Sequence, residues 1–435
     1  MSTKRTYHGS LVRLPAGALL AAVAVLFLGP SSATADAPIV LEVMAGAHDR
    51  QEVVVSWVLP ESLRDKEHFA LTRIDTGQLV PVQVDRNDPP QLTWIVREPL
   101  PAGQTRGYQL TPADPPKEMP RAVTIDSDGK RLTARVGDKP VLVYNEAVVP
   151  SPIAGQPEYA RSGYLHPVYN PAGQTVTDDF NPDHAHQHGI MFAWRKMRIE
   201  GRATDGWDQL AGLGRVEHVE LEAATDGPVF GQFRARLRHV DLTAPGGSKP
   251  VLDERWIVKV YDLREHFLFD VESTQACAGD SPVTVDECHY GGMTIRGSRT
   301  WSHRGESRYD YLTAEGKNKT DGNQSRPRWV DLFGPIGGET TGVAILSHPG
   351  NFRFPQPVRL HPTMPYFCFT PASAGSFTIE PGKPYVSRYR YVVHQGEVDI
   401  QCGDRLWTDY GQPPEVRVAE VGPASAEANA QGSTR

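Results

Sequence analysis

Residues 229–240 read VFGQFRARLRHV, and this stretch decides the fold class. From Arg234 onward, a cationic or polar side chain alternates with an apolar one. Successive side chains of a strand point to opposite faces, so the pattern predicts a strand with one wet and one dry face. Asp226-Gly227 precedes the stretch and is a hairpin signal, with residues 216–221 as the partner strand. The stretch therefore predicts an antiparallel sheet that is buried on one side.

The same kind of pattern extends in both directions along the chain. Residues 123–125 and 132–136 flank Asp128-Gly129, and residues 254–261 and 266–271 form another pair of apolar runs. The 40 glycines and 37 prolines among 435 residues supply many turns between short elements. We therefore predict an all-β protein. A small N-terminal β-sandwich at 38–113 precedes a large antiparallel two-sheet sandwich at 120–396, and a tail rich in Ala, Glu and Pro, residues 412–435, is expected to be disordered.

The first 35 residues predict a secretory signal peptide. Lys4, Arg5 and Arg13 precede an apolar run at 18–28, and Ala33-Thr34-Ala35 offers small residues for cleavage. A membrane span needs about 20 apolar residues, which this run does not reach, and a signal anchor is the alternative. No other apolar run approaches that length. We expect a secreted or periplasmic protein with no membrane span after removal of the signal.

Charge and motif content exclude several classes of protein. The formal net charge is −7, without a basic stripe, which argues against nucleic acid as a partner. The chain has no GxSxG elbow, no P-loop and no dinucleotide fingerprint. Its four cysteines permit two disulfides in an oxidising compartment, and Cys277 and Cys288 are close enough in sequence to close a short loop.

A histidine-rich segment is the densest chemical signal. Residues 183–189 read DHAHQHG, which places His184, His186 and His188 at a spacing of two. If the segment is extended, the three rings share one face. Such rings are good ligands for zinc, copper or iron and good acid/base groups near pH 7. The alternative is a polar loop whose rings donate hydrogen bonds to backbone carbonyls.

A second signal, residues 286–292, reads DECHYGG. Strand alternation would place Glu287 on the same side as His289, and a neighbouring carboxylate can tune a histidine for proton transfer. The double glycine allows a ligand or another strand to approach the backbone closely. A surface turn is the alternative interpretation.

A third signal consists of three short segments. Residues 326–331 read RPRWVD, residues 347–351 read SHPGN, and residues 359–362 read RLHP. Arginine beside tryptophan suits a sugar or a carboxylate, because the indole offers a stacking surface and the guanidinium two parallel donors. For the tryptophan, core filling is the alternative.

These motifs resemble those of one protein family. Residues 163–169 (GYLHPVY), 183–194 (DHAHQHGIMFAW), 287–292, 328–331 and 348–351 resemble the PmoA-like family of secreted bacterial proteins of unassigned function. The resemblance covers roughly residues 120–396. It implies a sugar-related setting and a large sandwich similar to galactose mutarotase. In that enzyme a His-Gly motif orients the sugar, and a second His followed by Tyr supplies the proton. By this resemblance His188 orients the substrate, His289 is the acid, and Glu287 is the nearest candidate base.

The sequence therefore predicts an exported carbohydrate-active enzyme of the glycoside hydrolase or polysaccharide lyase type, with a glycan or sugar derivative as its partner. Hydrolysis would need two carboxylates about 5–10 Å apart, for which Glu287 pairs with Asp331 or Asp183. Elimination would use His or Tyr as the base and Arg328 against an acidic sugar. The candidate catalytic residues are His188, His289, Glu287 and Asp331, and the candidate substrate-binding residues are His184, His186, Arg328, Trp329, Tyr290, His348 and Asn351.

Two other functions are kept as alternatives. One is a non-catalytic glycan-binding protein that presents aromatic side chains to the sugar. The other is a metal-dependent enzyme in which His184, His186 and His188 hold a divalent metal ion. No cofactor is predicted for the first choice.

Overall fold

The structure is a computed structural model, and it describes residues 38–117, 121–303 and 306–419. The predicted signal peptide at 1–35 lies outside these residues. Where the chain is described, no helix is both long and apolar enough to cross a membrane.

The described residues form strands joined by short turns, and the first fourteen strands are short. They are β1 (Ile39–Met44), β2 (Val53–Val58), β3 (Phe69–Arg73), β4 (Leu79–Val80), β5 (Val82–Asp85), β6 (Gln91–Val96), β7 (Thr105–Pro112), β8 (Val123–Ser127), β9 (Arg131–Val136), β10 (Lys139–Asn145), β11 (Tyr164–Val168), β12 (Ile190–Trp194), β13 (Met197–Ile199) and β14 (Arg202–Thr204).

The longest strands follow, together with an α-helix near the C-terminus. These elements are β15 (Gly214–Thr225), β16 (Phe230–Asp241), β17 (Lys249–Tyr261), β18 (Phe267–Cys277), β19 (Val283–Val285), β20 (Gly291–Arg296), β21 (Ser302–His303), β22 (Glu306–Ser307), β23 (Asp310–Thr313), β24 (Trp329–Ile336), β25 (Glu339–Ser347), β26 (Val358–Leu360), β27 (Tyr366–Phe369), β28 (Phe377–Ile379), β29 (Tyr385–Gln395), α1 (Ile400–Gly411) and β30 (Glu415–Val418). Short 3-10 helices lie at Glu61–Leu63, Pro157–Tyr159, Gln209–Ala211, Arg299–Trp301 and Pro371–Ala374.

The N-terminal strands form a small sandwich. A five-stranded sheet in the order β30-β1-β7-β3-β4 packs on a three-stranded sheet in the order β2-β6-β5. Its core contains Leu41 and Tyr108 from the first sheet and Val55 and Trp94 from the second, all at most 2% exposed. Apolar side chains alternate along these strands, so each sheet has an inner face to bury.

The rest of the chain is built on two eight-stranded antiparallel sheets. The first large sheet has the order β26-β27-β20-β12-β11-β10-β9-β8, and the second has the order β15-β16-β17-β18-β29-β25-β24-β23. One continuous core draws buried side chains from both, including Ile190, Phe369, Leu237 and Tyr389. The all-β prediction is therefore confirmed. A four-stranded sheet in the order β14-β13-β19-β28 and the β21-β22 pair are additions to it.

The stretch at 229–240 behaves as its alternation predicts. Phe233, Ala235 and Leu237 are buried in the core, whereas Arg236 and Arg238 lie on the wet face. Each of these arginines bonds a carboxylate on the neighbouring strand, at 2.8 Å (Glu220) and 3.1 Å (Asp253). The predicted hairpins around Asp128-Gly129 and Asp226-Gly227 both form, as β8–β9 and β15–β16.

The C-terminal region differs from the prediction of a disordered tail at 412–435. Strand β30 pairs with β1, with Val418 opposite Leu41, so the prediction is wrong for the start of this segment. The residues from 420 onward lie outside the described part. Helix α1 precedes β30 and packs Leu406 and Trp407 against the outer side of the second large sheet. All four cysteines are free, so the disulfide considered for Cys277 and Cys288 is not formed.

Candidate functional site

The site lies on the outer face of the first large sheet. Trp194 points inward, because its Nε1 donates to Gln275 Oε1 on the second large sheet at 2.7 Å. Phe369 also points inward and stacks on Tyr389, with 5.2 Å between ring centroids. Since faces alternate along a strand, Tyr366 on β27 points outward. Arg359 on β26 lies opposite Cys368 on β27, and Cys368 shares the outward face with Tyr366.

Four loops cover this face of the sheet. Residues 181–189 lead into β12, residues 205–211 follow β14, residues 286–290 lead into β20, and residues 361–365 connect β26 to β27. Functional residues concentrate on loops that a rigid scaffold positions, and these four bring most of the polar side chains.

The histidine-rich loop is turned rather than extended. The amide of His184 donates to the carbonyl of Asn181 at 2.9 Å, and the amide of Gln187 donates to the carbonyl of His184 at 3.0 Å. The expectation that three rings share one face is therefore wrong. His184 and His186 remain neighbours, with ring centroids 5.6 Å apart. His188 points into the protein instead.

His188 belongs to a buried hydrogen-bonded network. Its side chain is fully buried, with Nδ1 at 2.6 Å from Asp179 Oδ1 and Nε2 at 3.0 Å from Gln209 Oε1. The other oxygen of Asp179 accepts from the Tyr164 hydroxyl at 2.7 Å. Gln209 Nε2 donates to the carbonyl of Ala160, which fixes the orientation of the amide. His188 therefore cannot orient a substrate, and the role that we predicted for it is wrong.

A cluster of rings lies between the loops and the sheet, and we call it the histidine–aromatic cluster. His361 is 6.0 Å from His184 and 6.4 Å from Tyr366 between ring centroids. Trp207 contacts three other rings at 5.8–6.3 Å. The cluster consists of His184, His186, Trp207, Tyr290, His361 and Tyr366.

The histidines of the cluster are held in the neutral form near pH 7. Burial lowers the pKa of His186 to about 4, against an opposing effect of Asp208. Burial, followed by the charge of Arg359, lowers the pKa of His361 to about 4. Burial and the charge of Arg296 also lower the pKa of His184. Neutral rings can accept a proton or donate one N–H to an oxygen.

Beside the cluster lies a cavity of about 390 Å³, which the 286–290 loop lines. Glu287 and His289 are exposed there, and Tyr290 joins the cavity to the cluster. The rings of His289 and Tyr290 are 4.5 Å apart. Burial, then the charges of Arg359 and Lys196, lower the pKa of His289. The lining residues are Arg195, Lys196, Glu287, Cys288, His289, Tyr290, Gln324 and Ser373.

Arg328, Trp329 and Asp331 lie elsewhere, and their predicted roles are wrong. Trp329 is fully buried, and its Nε1 donates to Asp404 of α1 at 2.8 Å. Arg328 pairs with the same carboxylate at 2.6 Å. Asp331 is also fully buried, with Oδ1 at 3.0 Å from His394 Nε2. The RWVD motif holds α1 onto the second large sheet and is not part of the cavity beside the histidine–aromatic cluster.

His348 and Asn351 also serve the fold on the side of α1. The Asn351 amide donates to Ser347 Oγ and to the carbonyl of Arg388, at 3.1 Å and 2.8 Å. The ring of His348 packs on Tyr410, with centroids 5.3 Å apart. The prediction that these two residues bind substrate at the same site as His184 and His289 is wrong.

The ligand set of the metal alternative is not assembled. Both ring nitrogens of His188 are already bonded to Asp179 and Gln209, so it cannot join His184 and His186. Throughout the described part of the chain, no group of three or more His, Cys, Asp or Glu side chains is placed to hold a metal ion.

Sequence reasoning missed Arg296 and left other residues of the site unconnected. His361 and Arg359 lie in the segment RLHP, which the sequence marked as a signal but not as a neighbour of the histidine-rich segment. Arg296 ends β20 and stands in none of the motifs. Nothing local connects these residues to the histidine-rich segment, because the sheet order brings them together.

The model of a family of unknown function, DUF6807, matches residues 131–408, so the chain belongs to that family. No curated protein matches the chain. Among solved structures, the chain is similar to the GH36 alpha-galactosidase AgaB from Geobacillus stearothermophilus, with 12% identity and a TM-score of 0.33. The similarity covers 63% of this chain and 41% of that one, less than half of its length. The resemblance to the PmoA-like family stays a prediction.

Proposed function

We propose that the protein is an exported carbohydrate-active enzyme that cleaves a glycan by proton transfer at the cavity beside the histidine–aromatic cluster. The observation that carries the proposal is the adjacent pair of His289 and Tyr290 on the wall of that cavity. An imidazole and a phenol side by side supply one base and one acid.

The size and the lining of the cavity support a sugar as the ligand. A volume of about 390 Å³ falls within the range of small-molecule sites. Tyr290 offers a ring on which a sugar face can stack, and Gln324, Ser373 and Glu287 offer polar groups for hydroxyls. This mixture of one aromatic wall and several hydrogen-bonding groups suits a polyhydroxylated ring.

His289 is suited to the role of base. Its lowered pKa means that the ring is neutral at pH 7, because a histidine is protonated only below its pKa. The cations that lower this pKa, Arg359 and Lys196, would also stabilise negative charge on the substrate. This reverses the acid role that the resemblance implied for His289.

The arrangement favours elimination over hydrolysis by two carboxylates. Glu287 is the one carboxylate among the described residues that line the cavity. Of its two predicted partners, Asp331 is buried beside His394, and Asp183 is not among the lining residues. In an elimination, His289 takes a proton from a sugar carbon, and the electron pair of that C–H bond becomes a carbon–carbon double bond. The bond to the leaving oxygen breaks, and this oxygen takes the proton of the Tyr290 hydroxyl. Arg359 Nη2, at 3.4 Å from that hydroxyl, would stabilise the resulting phenolate.

The export of the enzyme is part of the proposal. It rests on the basic, apolar and small-residue order of the first 35 residues. An exported enzyme meets polymeric glycans rather than the free sugars of the cytoplasm, which agrees with cleavage as the reaction.

The test is an assay of purified protein on neutral and uronate-containing polysaccharides. Reducing ends report any cleavage, and ultraviolet absorbance reports the unsaturated product of elimination. We expect His289→Gln to lower the rate by about 100-fold or more, as loss of a general base does. His48→Gln, in the exposed turn after β1, is the matched control and should leave the rate unchanged.

Two results would overturn the proposal. One is cleavage that persists in the His289→Gln variant. The other is binding of a glycan with no product from any polysaccharide, which would make the protein a non-catalytic glycan-binding protein.

A further inference from the structure

Arg296 is a buried cation with no carboxylate partner. It is 1% exposed, and it forms no ion pair within the described ranges. Its Nη1 donates to Gln187 Oε1 at 2.9 Å, while its Nε is buried without a hydrogen-bond partner in that part of the chain. The nearby carboxylate of Asp178 is already bonded to Arg299 at 2.9 Å and Asn181 at 2.8 Å. A buried charge in this state is costly unless a ligand completes it.

Arg359, which is half-buried on β26, repeats part of this pattern two strands away in the same sheet. Its Nη1 donates to the carbonyl of Leu360 at 3.0 Å, and its guanidinium lies 5.3 Å from the centre of the Tyr290 ring. Its Nε is buried with no partner among the residues that the structure describes, and no carboxylate there pairs with it. The guanidinium is therefore anchored by its backbone and ring contacts and still has an unused donor.

Two histidines connect the arginines. His361 is close enough to Arg359, His184 and Arg296 for all three to act on its charge. The ring of His184 is 6.0 Å from that of His361, and its Nδ1 is buried without a partner in the described chain. The site thus presents two guanidinium groups and two imidazoles to one region of the outer face.

Some other buried arginines of the same protein are paired with carboxylates, whereas Arg161 is buried with its Nε and Nη1 unpartnered among the described residues. Arg50 bonds Asp409 at 3.0 Å, and Arg390 bonds Asp270 at 2.7 Å. Arg296 and Arg359 differ from Arg50 and Arg390 in having an unpaired Nε, and both lie close to His361 of the histidine–aromatic cluster. Unpaired donors are satisfied by an acceptor on a ligand, and unpaired cations are satisfied best by an anionic one.

We infer that Arg296, Arg359, His361 and His184 bind the carboxylate of a uronic acid residue, so that the substrate is an acidic glycan. A planar carboxylate accepts two parallel N–H donors from a guanidinium, which is a geometry that an ammonium group does not offer. The inference rests on the proposed function for its sugar. It also supplies what elimination needs, because a carboxylate makes the neighbouring C–H bond acidic and its bound cations stabilise the charge that develops.

The test is calorimetric titration of the full mature protein with sodium glucuronate and sodium galacturonate. Glucose and galactose are the neutral counterparts, and glucose 6-sulfate is the sulfate counterpart. We expect the uronates to bind at least about tenfold more tightly than the neutral sugars. Arg359→Gln should remove about tenfold or more of that affinity, and Arg359→Lys should restore only part of it. Arg417→Gln, an exposed arginine on β30 in the small sandwich, is the matched control and should change nothing.

The outcomes separate this inference from the proposed function. Equal affinity for uronates and neutral sugars, or uronate binding that Arg359→Gln leaves intact in a folded variant, would overturn the inference. Tighter binding of glucose 6-sulfate would overturn the assignment to a uronate. Uronate binding that depends on Arg359, without cleavage of any polysaccharide, would support the inference and refute the enzyme. Cleavage of neutral glycans that depends on His289, without uronate binding, would do the reverse.

Discussion

The two ends of the histidine-rich loop carry the same side chain in opposite states. His188 is fully buried, and oxygen atoms of Asp179 and Gln209 face both of its ring nitrogens. His184, four positions earlier, is only partly buried, and its Nδ1 has no partner within the described residues. The neighbours of His184 include His361 and the cation Arg296. His188, in contrast, has the carboxylate of Asp179 beside it.

The difference shows that burial alone does not identify a functional histidine. A satisfied network rigidifies the fold, because each polar group has its partner and any change leaves another group unpaired. A set of unpaired polar groups lowers the free energy of unfolding, and a ligand that binds these groups raises it again. The His188 end therefore supports the loop, and the His184 end is the one that the proposed ligand would contact.

The largest effect is expected from Asp179→Ala, which breaks the hydrogen-bonded network at the His188 end of the loop. The substitution would leave His188 and the Tyr164 hydroxyl without their shared acceptor. Removing one partner of a buried pair costs about 3 kcal/mol or more. We expect a loss of that size in the free energy of unfolding, measured by urea denaturation at pH 7.

Asp183→Ala is the control on the same loop, because Asp183 is exposed. It should change the free energy of unfolding by less than about 0.5 kcal/mol. Equal losses in the two variants would show that the His188 network does not support the fold.

A smaller effect on folding stability is expected from a change of pH, which tests the burial of His186 near the His184 end of the loop. The pKa of His186 is lowered to about 4 in the folded protein, against 6.5 for a free histidine. Between these values the unfolded chain binds a proton that the folded chain does not, so folding stability falls as the pH falls. The ring is largely buried, and we expect this histidine to contribute about 1 kcal/mol of loss between pH 7 and pH 5.

The measurement is the urea midpoint at pH 7 and at pH 5 for the wild type and His186→Gln. The variant should lose less stability over this interval, because it has no ring to protonate in the unfolded chain. His48→Gln removes an exposed histidine and should follow the wild type. If the two variants have the same pH dependence, the burial of His186 does not control it.

Much of the fold is readable from local patterns, and the failures are non-local. The strands around Asp226-Gly227 pair as predicted because alternation and a turn signal lie within one short segment. Helix α1 was missed, although Asp399 caps it by accepting from the amide of Cys402 at 2.7 Å. Strand β30 was missed because its partner β1 lies at the other end of the sequence, and a pattern does not record which distant edge is free.

The candidate site is readable only in part for the same reason. His184, His186, His289 and Tyr290 stand in conspicuous motifs, and the structure brings them to one region. The RWVD motif looked equally functional, but Trp329 is buried against α1. A motif shows which groups are available, whereas sheet order decides which face they reach, and that order depends on pairings between distant strands.

The smallest effect on stability is expected from His184→Leu, which replaces the ring that has an unpaired nitrogen with an apolar side chain. The substitution removes the unpartnered Nδ1 and one imidazole of the cluster. A residue kept for binding rather than for folding usually costs stability, so we expect the free energy of unfolding to rise by about 0.5 kcal/mol. Uronate affinity should fall in the same variant, measured by calorimetric titration. His188→Leu should instead lower the free energy of unfolding strongly. A loss of stability in His184→Leu comparable to that of His188→Leu would mean that both ends of the loop serve the fold, and the distinction between them would be lost.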